Sequence, residues 1–219
     1  GLFGYTNGST LRDIKLVSGN YTGHSSIGGL VGYATNDVLI TGCSFTGTIT
    51  GNAGAGYNAA GLCGILQDVV SITKCNTSAT VSGYGQIGGI FGNNIRSNVS
   101  KTYATGSVSG NIFVGGLGGF SNSVETNCYA LGNVTGSDRI GGFIGQVSGG
   151  VSANCYSTGT VPGSGGDIGG FIGRNNGTFT NSFWDTESSG KGTAVGDWSS
   201  SGITGKTTAQ MKTSSTFTD

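Results

Sequence analysis

The chain has 219 residues, 46 of them glycine and one proline, and its 10 Lys+Arg balance its 10 Asp+Glu to no formal net charge. That balance, with no basic stripe, argues against a nucleic-acid partner, whose binding rests on phosphate neutralisation. The sequence has no apolar run long enough for a membrane-spanning helix and no basic start followed by an apolar core, so any signal peptide lies outside this chain.

In chain order, the first phrase is "GLFG" at residue 1. A chain that opens inside a repeat phrase looks cut from something longer. Gly-apolar-apolar-Gly then starts again at Gly29, Gly61, Gly89, Gly116, Gly142 and Gly170, at intervals of 28, 32, 28, 27, 26 and 28. The long interval holds an insertion, "GNAGAGYN", at 51–58. Most copies carry a second glycine in front, preceded by Ile27, Ile87, Val114, Ile140 or Ile168. Self-similarity at a fixed period of this size marks a solenoid or related array.

Two further stretches recur in each unit. "ITGCSF" at 40–45 returns as "ITKCNT", "VSKTYA", "ETNCYA", "SANCYS" and "FTNSFW". "GTITG" at 47–51 returns as "GSVSG", "GNVTG" and "GTVPG". Each unit thus holds three short β-prone stretches, none with helical spacing. One such unit cannot bury its own apolar face, whereas stacked units can.

The expected fold is all-β: a parallel β-helix (solenoid) of about seven turns, roughly 27 residues per turn, right-handed by the crossover rule. An antiparallel meander or a barrel is the alternative. Neither requires the same residue type at the same place in every turn.

In such a stack the glycines (Gly29 and Gly32, Gly89 and Gly92, Gly116, Gly142 and Gly145, Gly170 and Gly173) form columns where the backbone turns sharply. Leu30, Leu62, Ile90, Leu117, Phe143 and Phe171 fill one interior column. Strict alternation would send Leu30 and Val31 to opposite faces although both positions are usually apolar. Either the glycine pair makes a bulge that resets the register, or that face is covered.

Cys43, Cys75, Cys128 and Cys155 share one column with Thr102 and Ser182 and read as interior packing. Cys128 and Cys155 fall on neighbouring rungs, near enough for a disulfide. Cys63 reads as core. No tight Cys/His spacing suggests a metal site, and no cofactor is expected. His24 reads as a solvated loop residue. Asp13, Asp37, Asp68, Asp138, Asp167 and Asp185 fall at different phases of the repeat, with no fixed pairing for carboxylate chemistry. "SSGITGKT" at 200–207 lacks the first glycine and the strand-helix context of a phosphate-binding loop.

Tyr103, Tyr129, Tyr156 and Phe183 follow the Cys column by one residue and are expected to point outward. This aromatic ladder either binds a ligand such as a sugar or stiffens the rod. Thr48 and Thr50, with their counterparts Thr80, Ser82, Ser107 and Ser109, form hydroxyl ranks like those that order water on ice-binding faces. Asn133 and Pro162 interrupt them.

The phrases "IGGLVG", "VGGLGG" and "IGGFIG", with "NCYSTGTVPG", resemble the GLUG-motif family, named for its Gly-Leu-x-Gly core. "NSFWDTESSG" followed by "GKTTAQMK" looks like the segment that often closes such arrays. The resemblance covers nearly all of residues 1–212. It implies a module of large secreted or cell-surface bacterial and archaeal proteins, among them adhesin-like proteins and the non-catalytic regions of immunoglobulin A-cleaving peptidases. It implies no catalytic residues, and the peptidases' His-Glu zinc motif is absent here.

Residues 1–190 are expected to form the β-helix domain and 191–219 a C-terminal cap or linker tail. The expected role is a non-catalytic extracellular or cell-surface stalk or adhesive module. Its expected partners are glycans or host surface proteins, with no nucleic acid and no membrane insertion. A self-assembling filament or layer subunit, stacking head to tail, is the structural alternative. A β-helix polysaccharide lyase or hydrolase is the enzymatic one.

Overall fold

The computed structural model describes residues 1–52, 54, 57–198 and 201–217. Ala53, Ala55 and Gly56 of the insertion, Ser200 of the loop-like phrase and the last residue of the tail, Asp219, lie outside the described residues.

The chain is a β-solenoid in which every strand pairs in parallel with its counterpart one repeat away. Typical registers are Val31↔Cys63, Ile40↔Ile72, Tyr103↔Tyr129 and Val108↔Val134. Among the described residues the sheets hold 8, 7, 11 and 6 strands. The six-stranded sheet sets the number of coils in which every face is present at about six. The expected count of about seven turns was thus slightly high.

Each coil has five short segments rather than the three expected. In one coil they are Ser25–Gly28, Val31–Thr35, Leu39–Thr41 and the two arms of Ser44–Gly51. In later coils those two arms separate, as in Asn76–Thr77 and Thr80–Ser82. The extra corners arise where residues, nearly all of them other than glycine, take positive φ. One corner is formed by Asp13, Gly42, Lys74, Lys101, Asn127, Asn154 and Asn181, with φ between 45° and 65°. A second such column, Ser26, Asn58, Gln86, Phe113 and Arg139, bends the segment before each glycine pair. This conformation costs a non-glycine residue about 1–2 kcal/mol, least for Asn and Asp. Stacking the same corner on every coil repays it with a full set of backbone hydrogen bonds.

The Leu30/Val31 difficulty is resolved by a corner rather than by a bulge or an outer cover. Gly29 and Leu30 form a bend between two segments, so Leu30 and Val31 belong to different faces and both side chains are fully buried. The glycine column has a second role. A Cβ on Gly29 would strike the Phe45 ring, one on Gly89 the Ala104 methyl, and one on Gly170 the Trp184 indole. The coil is therefore pinched along this line into two lobes.

The larger lobe contains Leu30, Ile40, Leu62, Ile72, Ile90, Leu117, Phe143 and Phe171. The smaller contains Ile49, Val81, Val108, Val134, Ile87, Val114 and Ile140. Hydroxyls bridge the pinch where the facing residue is polar: Thr77 donates to the Gly89 carbonyl at 2.9 Å and Ser157 to that of Gly170 at 3.1 Å. The closing glycines Gly32, Gly92, Gly145 and Gly173 leave room for backbone crossing behind them, from Ser26, Asn58, Phe113 and Arg139 respectively.

In the tail, Val195–Trp198 pairs with Ile172–Asn175, and Ile203–Lys206 pairs with Ser182–Asp185. Asp185 caps the short helix Thr186–Ser189, and Thr207 and Gln210 form a capping box on Thr208–Met211. No helix among the described residues is long and apolar enough to cross a membrane.

Candidate functional site

The Cys column lies inside the larger lobe. Cys43, Cys75, Thr102, Cys128, Cys155 and Ser182 are all fully buried. Each donates to the carbonyl two residues back: Cys43 to Thr41 at 3.4 Å, Thr102 to Ser100 at 2.8 Å, Cys155 to Ala153 at 3.2 Å. That carbonyl sits at the positive-φ corner. A small side chain with an S–H or O–H is what the position needs, which explains why Cys, Thr and Ser alternate there. All five cysteines are free, Cys128 and Cys155 included. Burial pushes the Cys75 thiol up to about 12 and raises those of Cys43, Cys63 and Cys155. Thiols so far from thiolate are poor nucleophiles and poor metal ligands. No group of three or more metal-ligating side chains occurs among the described residues.

One residue outward, the aromatic ladder stacks ring on ring. Tyr103 and Tyr129 are 4.7 Å apart with planes 3° from parallel, and Tyr129 and Tyr156 are 4.9 Å apart at 6°. Phe217, from the turn Ser214–Phe217, tilts against Tyr156 at 5.4 Å and meets Phe183 edge-on at 5.5 Å. Both faces of Tyr129 are therefore covered by neighbouring rings. What Tyr129 offers a ligand is its ring edge and phenol hydroxyl, not a face. Burial, and then the neighbouring phenol, raise the pKa of Tyr129 and Tyr156, so both stay neutral at ordinary pH.

Beside the ladder runs a second column that the sequence reading passed over. Asn127, Asn154 and Asn181 hold the positive-φ corner and are exposed. The Asn154 amide donates to Asn127 Oδ1 at 3.3 Å. Between the two columns lies an open groove of about 600 Å³, lined by the three asparagines, Tyr129, Tyr156, Phe183 and Phe217. The signal was present in the repeated "NCY" phrase, where Asn precedes the buried Cys by one residue.

The other candidates are dispersed. His24 is exposed and lies 3.2 Å from the Asn52 amide. Asp68, Asp138 and Asp167 pair with Arg96, Arg139 and Arg174. Asp185 is buried as a helix cap. The acidic residue that sequence reasoning missed is Glu125, fully buried in the larger lobe. It occupies the interior position held by Ile40, Ile72, Val99, Ser152 and Phe179 in other coils. A lone charged residue in that column was the available clue.

Stacked coils, two continuous cores and side-chain columns at a fixed pitch define a β-solenoid repeat module. The family model described as Glug, the GLUG motif, matches residues 23–50. The chain therefore carries the GLUG motif, and the later Gly-apolar-apolar-Gly phrases stack on the matched one in register. Comparison with curated proteins and with solved structures found no match.

Proposed function

We propose that this is a non-catalytic, extracellular or cell-surface module that binds a glycan along the groove beside its tyrosine ladder. The observation that carries the reading is the pairing of two columns with one period. Outward asparagine amides and phenol edges recur together on successive coils and flank an open groove. Amides offer a donor and an acceptor to neighbouring sugar hydroxyls, and ring edges supply apolar contact. A ligand lying along the rod would meet the same groups at each step. The scarcity of charge favours a neutral or weakly charged polysaccharide. Buried thiols and dispersed carboxylates favour a role without bond-making chemistry.

The test is a glycan array or a polysaccharide co-sedimentation assay on the wild type and on Asn127→Ala/Asn154→Ala. Binding that falls about tenfold or more in the double variant supports the reading. Unchanged binding, or none to any glycan by the wild type, rejects it.

A further inference from the structure

Glu125 has no exposed surface, and its carboxylate lies among three polar side chains brought from three other coil segments. Asn94 Nδ2 donates to Oε1 at 2.9 Å, Ser121 Oγ to Oε1 at 2.6 Å and Ser152 Oγ to Oε2 at 2.9 Å. Ser152 Oγ also accepts the Glu125 backbone N–H at 3.1 Å. No cation pairs with the carboxylate among the described residues. The nearest cations along the chain in the coil beneath, Arg96 and Lys101, are exposed.

The titratable groups facing Glu125 are two thiols. Cys155 donates to the Glu125 carbonyl at 3.5 Å, and Cys128 lies at the corner that follows the glutamate's strand. An ionised carboxylate in such a place must be compensated by a cation or give up its charge.

A second observation points the same way. Asn94 Oδ1 is buried and has no hydrogen-bond partner among the described residues. The amide's oxygen and nitrogen have the same shape and differ only in role. Turned over in the same seat, Asn94 presents its carbonyl to Oε1 and accepts a proton from it. In that orientation the amide oxygen, otherwise without a partner, accepts the hydrogen that Oε1 carries.

We propose that the folded protein carries Glu125 as a neutral carboxylic acid donating to Asn94, and that loss of this proton is an alkaline release set in the middle of the stack. Burial raises the pKa of this carboxyl, making it a weaker acid, and the three hydrogen bonds only partly oppose that. A carboxyl raised in the fold stabilises fully below its unfolded value, about 4.3, and loses that contribution as pH rises through the folded value. The coils around Glu125 therefore hold best in acid and are the first to loosen as pH rises.

The chain has two glutamates, Glu125 and Glu187, so a protein labelled with ¹³C at the glutamate carboxyls gives two signals. The wild type is expected to show one of the two glutamate carboxyls still protonated at neutral pH. In parallel, Tm of the wild type is expected to fall by on the order of 5 °C from pH 5 to pH 8 relative to Glu125→Gln, whose amide imitates the neutral acid. Two carboxyls titrating near the ordinary value, or the same Tm profile in both proteins, would overturn the proposal. If Glu125→Gln fails to fold, the carboxyl signals of the wild type decide alone.

Discussion

Thr102 Oγ1 accepts the backbone N–H of Cys75 at 3.4 Å, the distance at which Cys75 Sγ accepts that of Cys43. The column is thus a chain of interchangeable X–H groups. Each ties a corner carbonyl of its own coil, and Cys75, Thr102 and Ser182 also take an amide hydrogen from the neighbouring one. Cys75→Ser and Cys75→Thr are expected to stay within about 1 kcal/mol of the wild type. Cys75→Ala strands both a donor and an acceptor in the core and should cost about 1–3 kcal/mol. Denaturant unfolding of the three variants checks the order.

The same burial protects the thiols. None of the five cysteines is expected to react with a small alkylating reagent in the native protein at neutral pH, and all five should react in denaturant. Mass spectrometry before and after denaturation reads this directly. Rapid native labelling of even one would contradict the packing described above.

Space decides which glycines are replaceable. An alanine at Gly89 drives its methyl into the Gly116 carbonyl and the Ala104 methyl, where the two lobes meet. Gly89→Ala should lose about 1–3 kcal/mol. Gly192→Ala, where an added Cβ meets nothing within 4 Å, should be neutral within about 0.5 kcal/mol. Melting temperatures of the pair suffice as the measurement.

Tyr129 is the middle ring of three. Tyr129→Ala should cost about 1 kcal/mol in lost stacking, while Tyr129→Phe keeps the ladder and removes the hydroxyl. Because the phenols of Tyr129 and Tyr156 are raised in the fold, their stabilising contribution is present below the unfolded phenol value and fades as pH climbs through the folded one. Ultraviolet titration should show tyrosinate appearing later in the native protein than in the unfolded chain.

Arg174 joins the last full coil to the tail: its guanidinium lies 2.7 Å from Asp167 and 3.5 Å from Asp197. Arg174→Ala should speed hydrogen exchange and proteolysis around Val195–Trp198 while leaving the Leu62 and Ile90 coils protected. Uniform loosening of the whole stack would show that the coils share one cooperative unit.

Much of this architecture was legible because a solenoid writes each spatial column as a sequence period. The buried Leu30 column, the interior Cys column and the outward Tyr column all follow from phase alone. Corners were harder. Lys101, Phe113 and Arg139 take positive φ without being glycine or asparagine, a conformation imposed by the coils above and below. Glu125 was missed for a related reason. Its partners Asn94 and Ser152 come from the neighbouring coils, and pairings across coils leave no mark within a single repeat. The groove was half visible, since its tyrosines stood out while its asparagines looked like turn residues.

The pinch at the glycine column has a mechanical consequence. A tube drawn in along one side becomes two narrow tubes sharing a web, a cross-section wider in one direction than in the other. Such a beam resists flexing along its wide axis far more than across it. The module is better pictured as a plank than as a round rod, and a pull applied off its axis would bow it toward one of its broad faces.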